Sequence, residues 1–313
     1  MKKILITGGS GLLGSSFKRR LKGAAYPTSK ELDLLDPEAV SSYILEMQPD
    51  LVIHLAGKVG GVKNNTENMY SFYHENATIN NNVIDACVKS RVKRLVCCLS
   101  TCIYPDEKFI KYPLTEDQLH LGPPHNSNFG YAYAKRMVDI QLRAVRQQYG
   151  LEYISVIPNN IYGENDNFHL EDGHVIPALI RKIWEAKINN RPTFDVWGDG
   201  QIFREFTYVD DIRDAILFVN ENYNEASPIN IGSSKEYSLK FIIETICEIF
   251  DYSGEIVYDA TKPKGQVRKP SSNKKLLELG WRETDYESIK LGLERTCNWF
   301  TKNYPNIRGV DAK

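Results

Sequence analysis

The chain has 313 residues, 42% hydrophobic and 25% charged, and its 39 basic and 40 acidic residues leave a formal net charge of -1. This is an ordinary globular composition, long enough for two domains of roughly 100–200 residues, and it lacks the basic excess that nucleic acid or a membrane surface would require of a partner. Its six cysteines (Cys87, Cys97, Cys98, Cys102, Cys247, Cys297) show neither CxxC spacing nor a histidine cluster, which argues against a metal site or a disulfide framework and for reduced thiols in a cytoplasmic protein.

The chain opens Met1-Lys2-Lys3-Ile4-Leu5-Ile6, a basic pair before an apolar run that Gly8 and Gly9 end too early for a signal peptide. No later stretch approaches the roughly 20 apolar residues of a membrane helix. Lys3–Thr7 predicts a first strand. Thr7-Gly8-Gly9-Ser10-Gly11-Leu12-Leu13-Gly14 follows at once and leads into an amphipathic stretch, the setting in which a glycine-rich turn binds a dinucleotide. There Gly8 permits the tight turn, Gly11 lets the backbone approach a pyrophosphate, and Gly14 lets the helix pack on the strand. The backbone N–H groups of Ser10, Leu12 and Leu13 belong to the anion site at the helix start.

Next, Tyr26-Pro27-Thr28-Ser29-Lys30 falls where the following strand's tail chooses between NAD and NADP. A carboxylate there binds the ribose 2′-hydroxyl and repels a 2′-phosphate, whereas the hydroxyl of Ser29 and the ammonium of Lys30 suit the phosphate. Glu31 is a competing charge nearby, and Lys30 as a solvated loop residue is the alternative. NADP(H) is the expected cofactor.

Asp50–His54, Arg94–Leu99 and Tyr153–Pro158 predict three further strands. Between them, Thr66–Ser90 sets Ile79, Val83, Ile84 and Cys87 at helical spacing, and Tyr131–Tyr149 reads as a long helix. The alternation predicts an α/β protein built on a Rossmann-type doubly wound parallel sheet. The sequons at Asn64 and Asn76 read as chance matches in a protein that is not secreted. Tyr131-Ala132-Tyr133-Ala134-Lys135 puts Tyr131 and Lys135 on one helix face. A phenol of ordinary pKa about 10 becomes a usable general acid when an ammonium beside it lowers that value. Alone such a pair is commonplace; behind a glycine-rich N-terminal turn it points to reduction of a ketone.

After Pro158 the text loosens into Asn, Asp, Gly and Pro, then returns to apolar runs at Glu205–Val219 and Ser238–Phe250. This predicts an NADP-binding domain of residues 1–160 plus about 205–225, and a smaller C-terminal α/β substrate domain of about 161–204 plus 226–313. Lys262–Lys275 is basic and broken by Pro263 and Pro270, a loop that either lies over an anionic ligand or is simply solvated.

TGxxGxxG with YxxxK resembles the extended short-chain dehydrogenase/reductase family. Within it, four blocks resemble the members that epimerise and reduce a GDP-linked 4-keto-6-deoxy sugar: Leu99-Ser100-Thr101-Cys102-Ile103-Tyr104-Pro105, Gly122-Pro123-Pro124-His125-Asn126-Ser127-Asn128-Phe129-Gly130-Tyr131, Asp166-Asn167-Phe168 and Gly173-His174-Val175-Ile176-Pro177. The likeness runs on to the final helix at Trp299-Phe300. It implies that Ser100 hydrogen-bonds the sugar's C4 oxygen, Tyr131 protonates it, and Lys135 holds the nicotinamide ribose. Cys102 and His174 are implied to invert C3 and C5, both α to the ketone, so that the enolate charge rests on the oxygen already bound. On residue identity alone, Cys102 would be a buried small hydrophobe and His174 a loop histidine.

The resemblance further implies that Leu55, Ala56, Pro158, Asn160 and Ile161 line the cofactor, with Asn160 also at the sugar, and that Lys182, Trp197, Arg204 and Lys264 meet the nucleotide diphosphate. Lys182 as a solvated helix charge and Trp197 as a core filler are the plainer readings. At Lys264 the family commonly has Asp before glycine, so the charge is reversed here. The implied product is GDP-L-fucose, and the implied assembly a homodimer through the Thr66–Ser90 and Tyr131–Tyr149 helices. Two alternatives stay open: a C4-reductase of another GDP-4-keto sugar, such as a heptose, without epimerisation, and a non-catalytic NADP-binding sensor. Sugar-nucleotide 4,6-dehydratases carry Thr-Asp-Glu where Ser100-Thr101-Cys102 stands, which disfavours water elimination.

Overall fold

The computed structural model describes residues 2–259 and 268–310; Lys264 lies outside them. The first half alternates strand and helix: β1 (Ile4–Thr7), α1 (Leu12–Arg20), α2 (Pro37–Met47), β2 (Leu51–His54), α3 (Val62–Glu67), α4 (Met69–Lys89), β3 (Arg94–Cys98), α5 (Phe129–Tyr149) and β4 (Glu152–Pro158). The second half runs β5 (Asn160–Tyr162), α6 (Val175–Ile188), β6 (Thr193–Trp197), β7 (Phe203–Tyr208), α7 (Val209–Asn222), β8 (Ile229–Ile231), β9 (Glu236–Ser238), α8 (Leu239–Phe250), β10 (Glu255–Asp259), α9 (Lys274–Glu278) and α10 (Ile289–Asn303).

The four predicted strands fall within a residue of β1 to β4. They run parallel, with Leu5 opposite Val52, Val52 opposite Leu95, and Leu95 opposite Tyr153. Successive residues of a strand point to opposite faces. Leu5, Val52 and Leu95 accordingly pack with Val40 of α2, Val83 of α4 and Leu142 of α5. Ile6, Ile53 and Val96 pack on the other face with Phe17 of α1 and Ile212 and Ile216 of α7. Helices on both faces explain why these strands read as unbroken apolar runs rather than alternating ones.

Local chemistry sets the helix ends. At α2 the Asp36 carboxylate accepts from the N–H groups of Glu38 and Ala39, and Pro37 occupies the first turn, where no donor is missed. The predicted helix 66–90 is two helices, because Asn68, at φ -118 and ψ 31, leaves helical geometry between α3 and α4. Asparagine tolerates such a break since its side chain competes for backbone hydrogen bonds.

β8 pairs in parallel with β4, completing a five-stranded sheet of order β1-β2-β3-β4-β8. The sequence assigns Ile229–Ile231 to the smaller domain; three buried residues are too short a run for the pattern to place. β7 pairs with β5 in parallel and with β9 in antiparallel fashion, and β6 pairs with β10. No helix among the described residues is long and apolar enough to cross a membrane.

Candidate active site

A cleft of about 1350 Å³ opens at the C-terminal ends of β1 to β4, where α/β sheets place their ligands. Its cofactor wall begins at the glycine turn. Gly8 has φ +75, and a Cβ on it would lie 2.8 Å from the Ala56 nitrogen; a Cβ on Gly14 would lie 2.2 Å from the Gly8 carbonyl oxygen. The Gly11 N–H donates to that carbonyl at 3.1 Å, and α1 then starts without a side-chain cap. Its first-turn N–H groups therefore need an acceptor, and a backbone-only cradle beneath them fits a dinucleotide pyrophosphate.

Gly8, Ser10, Gly11, Leu12, Leu13 and Gly14 all line this wall, as do Leu55 and Ala56 from the next strand and Pro158, Asn160 and Ile161 from the far side. Ser29 lines it too, whereas Lys30 is exposed and outside the lining. The competing carboxylate of Glu31 is turned onto its own loop, accepting from the Thr28 N–H at 2.8 Å and the Thr28 hydroxyl at 2.9 Å.

β3 ends at Cys98, and the chain turns through Ser100 into a short 3-10 turn over Thr101–Ile103. The turn holds Ser100, whose Oγ accepts from the Cys102 N–H at 3.3 Å. Tyr131 sits in the first turn of α5 and hydrogen-bonds Ser100. Burial drives its phenol well above the usual value, the nearby thiols of Cys102 and Cys98 add to this, and Ser100 opposes it. The expected lowering by Lys135 is therefore not what the protein shows. Lys135 is buried and directs its ammonium to the carbonyl oxygens of Cys98 (3.3 Å) and Ala56 (3.4 Å), and burial lowers its own pKa. A phenol held protonated at neutral pH is a proton donor, which is the role assigned to it.

Cys102 and His174 both line the cleft with Ser100 and Tyr131. His174 occupies the N-cap position of α6 without a side-chain cap bond, which leaves its ring free for other partners. Desolvation pulls its pKa down, but the hydrogen bond and charge of Asp166, whose Oδ1 lies 3.3 Å from Nδ1, outweigh it and raise the value overall; Arg308 works against them.

At the substrate end, Lys182 on α6 and Trp197 at the end of β6 line the cleft. Lys182 donates to the Asp195 carbonyl at 2.8 Å, and burial lowers its pKa. Asn160 donates to the Glu205 carbonyl at 2.7 Å. Arg204 lies outside the lining; it donates to the Phe203 carbonyl at 2.7 Å and stands within electrostatic reach of Tyr112, Glu236 and Cys102.

The sequence leaves several site groups without a role. Lys269, in the predicted basic loop, stands within electrostatic reach of Cys102, Arg204 and Asp106. Glu205 is buried and accepts from the Ser271 N–H at 2.9 Å and hydroxyl at 2.6 Å, so it fixes the segment carrying Lys269; burial pushes its pKa up to about 7. Arg308 reaches the cleft from beyond α10, where no local pattern marks it. Basic text between prolines was the one available signal for Lys269.

A parallel sheet with a glycine cradle and a Tyr–Lys pair on one cleft defines a dinucleotide-binding, oxidoreductase-type α/β enzyme. The chain matches the NAD dependent epimerase/dehydratase family over residues 4–232, and it belongs to that family. It is 39% identical to the GDP-L-fucose synthase of Dictyostelium discoideum, with 98% of each chain covered. In structure it is similar to a GDP-L-fucose synthetase from Naegleria fowleri bound to NADP, at a TM-score of 0.89 and 37% identity over 98% of this chain and 96% of that one. It is also similar to a GDP-6-OMe-4-keto-L-xylo-heptose reductase from C. jejuni, at a TM-score of 0.87 and 27% identity over 96% and 98%.

Proposed function

We propose that the chain is an NADPH-dependent epimerase-reductase that converts GDP-4-keto-6-deoxy-D-mannose into GDP-L-fucose, working as a cytosolic homodimer. The observation that carries this reading is that Ser100, Cys102, Tyr131, Lys135 and His174 meet on one cleft beside the glycine cradle. NADPH, when bound, supplies the hydride that reduces the C4 ketone. The turn from Gly8 to Gly14 holds its pyrophosphate, Ser29 flanks its 2′-phosphate, and Lys135 holds the ribose. Lys182, Trp197 and Arg204 serve the nucleotide diphosphate.

Epimerisation comes first. Protons on C3 and C5 are both α to the ketone, so removing either leaves an enolate whose charge sits on the C4 oxygen. Ser100 and Tyr131 hydrogen-bond that oxygen and stabilise the charge. Cys102 as thiolate takes the proton and His174 as imidazolium returns one, and the same two groups serve both carbons. Tyr131 then gives its proton to the C4 oxygen as the ketone is reduced. Reduction of a heptose without epimerisation is the competing reading, and the presence of both Cys102 and His174 in the cleft favours the epimerase.

The dimer reading is supported by Tyr70 and Tyr73 on α4 with Met137 and Ile140 on α5, large apolar side chains left exposed on adjoining helices. For the chemistry, Tyr131→Phe lowers the rate of NADPH oxidation by the keto sugar at least ~100-fold while leaving NADPH binding in place. Steady-state absorbance and cofactor fluorescence measure the two effects; an unchanged rate would remove Tyr131 from the catalytic role.

A further inference from the structure

We propose that Asp166 is a positioning residue for His174, fixing the imidazole in the tautomer that holds Nδ1–H on the carboxylate and turns Nε2 to the substrate. This rests on the reading of His174 as the acid of the epimerisation. Asp166 is buried, at 2% exposure. Its Oδ1 accepts from the Asn167 N–H at 2.7 Å and faces His174 Nδ1 at 3.3 Å. Its Oδ2 is buried with no hydrogen-bond partner. A carboxylate kept this dry is unfavourable unless a cation faces it. The one ion-pair partner within 4 Å among the described residues is His174.

The pairing is set by a braced loop rather than by a free rotamer. Phe168, fully buried, stacks on Trp299 and packs against Phe300 of α10. Its N–H donates to the Arg308 carbonyl at 3.0 Å, and Arg181 of α6 donates to the Phe168 carbonyl at 3.3 Å and the Gly309 carbonyl at 2.6 Å. His169 N–H donates to Asn167 Oδ1 at 3.1 Å, and Gly173 N–H to the His169 carbonyl at 2.9 Å. Both ends of the Asp166-to-His174 span are thereby anchored to the last helix and to α6.

The charges around the pair are few. Arg308 faces His174 from the C-terminal segment and disfavours its protonation. The loop's remaining charges are matched among themselves, Glu171 with Lys63 of α3 and Asp172 with His169. With Asp166 neutralised, desolvation of the ring and the charge of Arg308 both act against an imidazolium. A histidine whose neutral form carries its proton on Nδ1 presents an acceptor Nε2, and once protonated it presents an acid at that same nitrogen. Asp166 fixes which nitrogen that is.

The test is nitrogen-labelled histidine NMR on the NADP-bound full chain, paired with deuterium uptake at C3 and C5 of the keto sugar in D2O without NADPH. In the wild type, His174 titrates above the ordinary histidine value and its neutral form carries the proton on Nδ1; an ordinary midpoint with the Nε2–H tautomer overturns the proposal with no variant needed. In Asp166→Asn the midpoint falls, exchange at neutral pH drops at least ~tenfold, and the pH at which exchange is half-lost moves down. NADPH affinity stays unchanged, and Asp166→Glu recovers part of the exchange. Wild-type exchange and pH profile in Asp166→Asn overturn the positioning role. His174→Gln separates the two layers: if it exchanges like the wild type, His174 is not the acid of the epimerisation and that reading fails whatever Asp166 does.

Discussion

His54, the last residue of β2, is a buried neutral ring within electrostatic reach of Lys135. It is 1% exposed; its Nδ1 faces the Thr7 hydroxyl at 2.7 Å, and its Nε2 faces Asn80 Oδ1 at 3.1 Å. An amide oxygen only accepts, so Nε2 carries the proton and Nδ1 accepts from Thr7. Asn80 in turn donates to the Ala134 carbonyl, one residue before Lys135. Burial, with the charge of Lys135, pushes the His54 pKa from 6.5 down to about 3. As pH falls below 6.5 the unfolded chain takes a proton that the folded one refuses, so this contribution is full above that pH and is lost at about 1.4 kcal/mol per pH unit on the way to about 3. Glu205 has the opposite sign: with a folded value raised from 4.5 to about 7, its effect on stability worsens as pH rises through that window. Only the difference from a variant isolates His54. The stability gap between wild type and His54→Gln, from urea unfolding, should narrow between pH 6 and pH 5, and a pH-independent gap would contradict the buried neutral ring. Tyr131 and Lys135 were legible in the sequence as a helical pair. The sign of the phenol's shift was not, because it depends on tertiary burial and on two carbonyls, at Ala56 and Cys98, that hold the ammonium.

At the scale of elements, the unit of β1, the glycine turn and α1 is the one most fully written in local sequence. Gly14 meets backbone, not side chain, so no flexible atom can yield to a substituent there. Gly14→Ala should push α1 off the turn, at a stability cost of about 1–3 kcal/mol, and weaken NADPH binding at least ~tenfold because the first-turn N–H groups shift with the helix. Gly23→Ala, where nothing lies within 4 Å of the new Cβ, serves as the neutral control. Fluorescence titration and thermal unfolding of both variants check this; equal NADPH affinity in the two would contradict the cradle. The apolar runs of β1 to β4 and the long α5 could be read because their period is local. The break at Asn68, the three-residue β8 and the pairing of β5, β7 and β9 could not, since each is decided by partners distant in the chain.

Across the whole molecule, the cleft draws groups from residue 7 to residue 308. Sequence reasoning reached those that sit in dense motifs and missed those, such as Arg308, that arrive singly from remote elements. The assembly has its own test. Ile140, 54% exposed on α5, sits on the apolar face assigned to the dimer. Ile140→Asp should give a monomer by sedimentation at micromolar concentration where the wild type is a dimer; a wild-type monomer would contradict the assignment. The joined activities are tested most directly by one reaction: GDP-4-keto-6-deoxymannose with NADPH in D2O, its product examined by NMR. The account predicts one NADPH consumed per sugar and a GDP-L-fucose product carrying deuterium at both C3 and C5. NADPH consumption with C3 and C5 unlabelled, or no consumption at all, would contradict it.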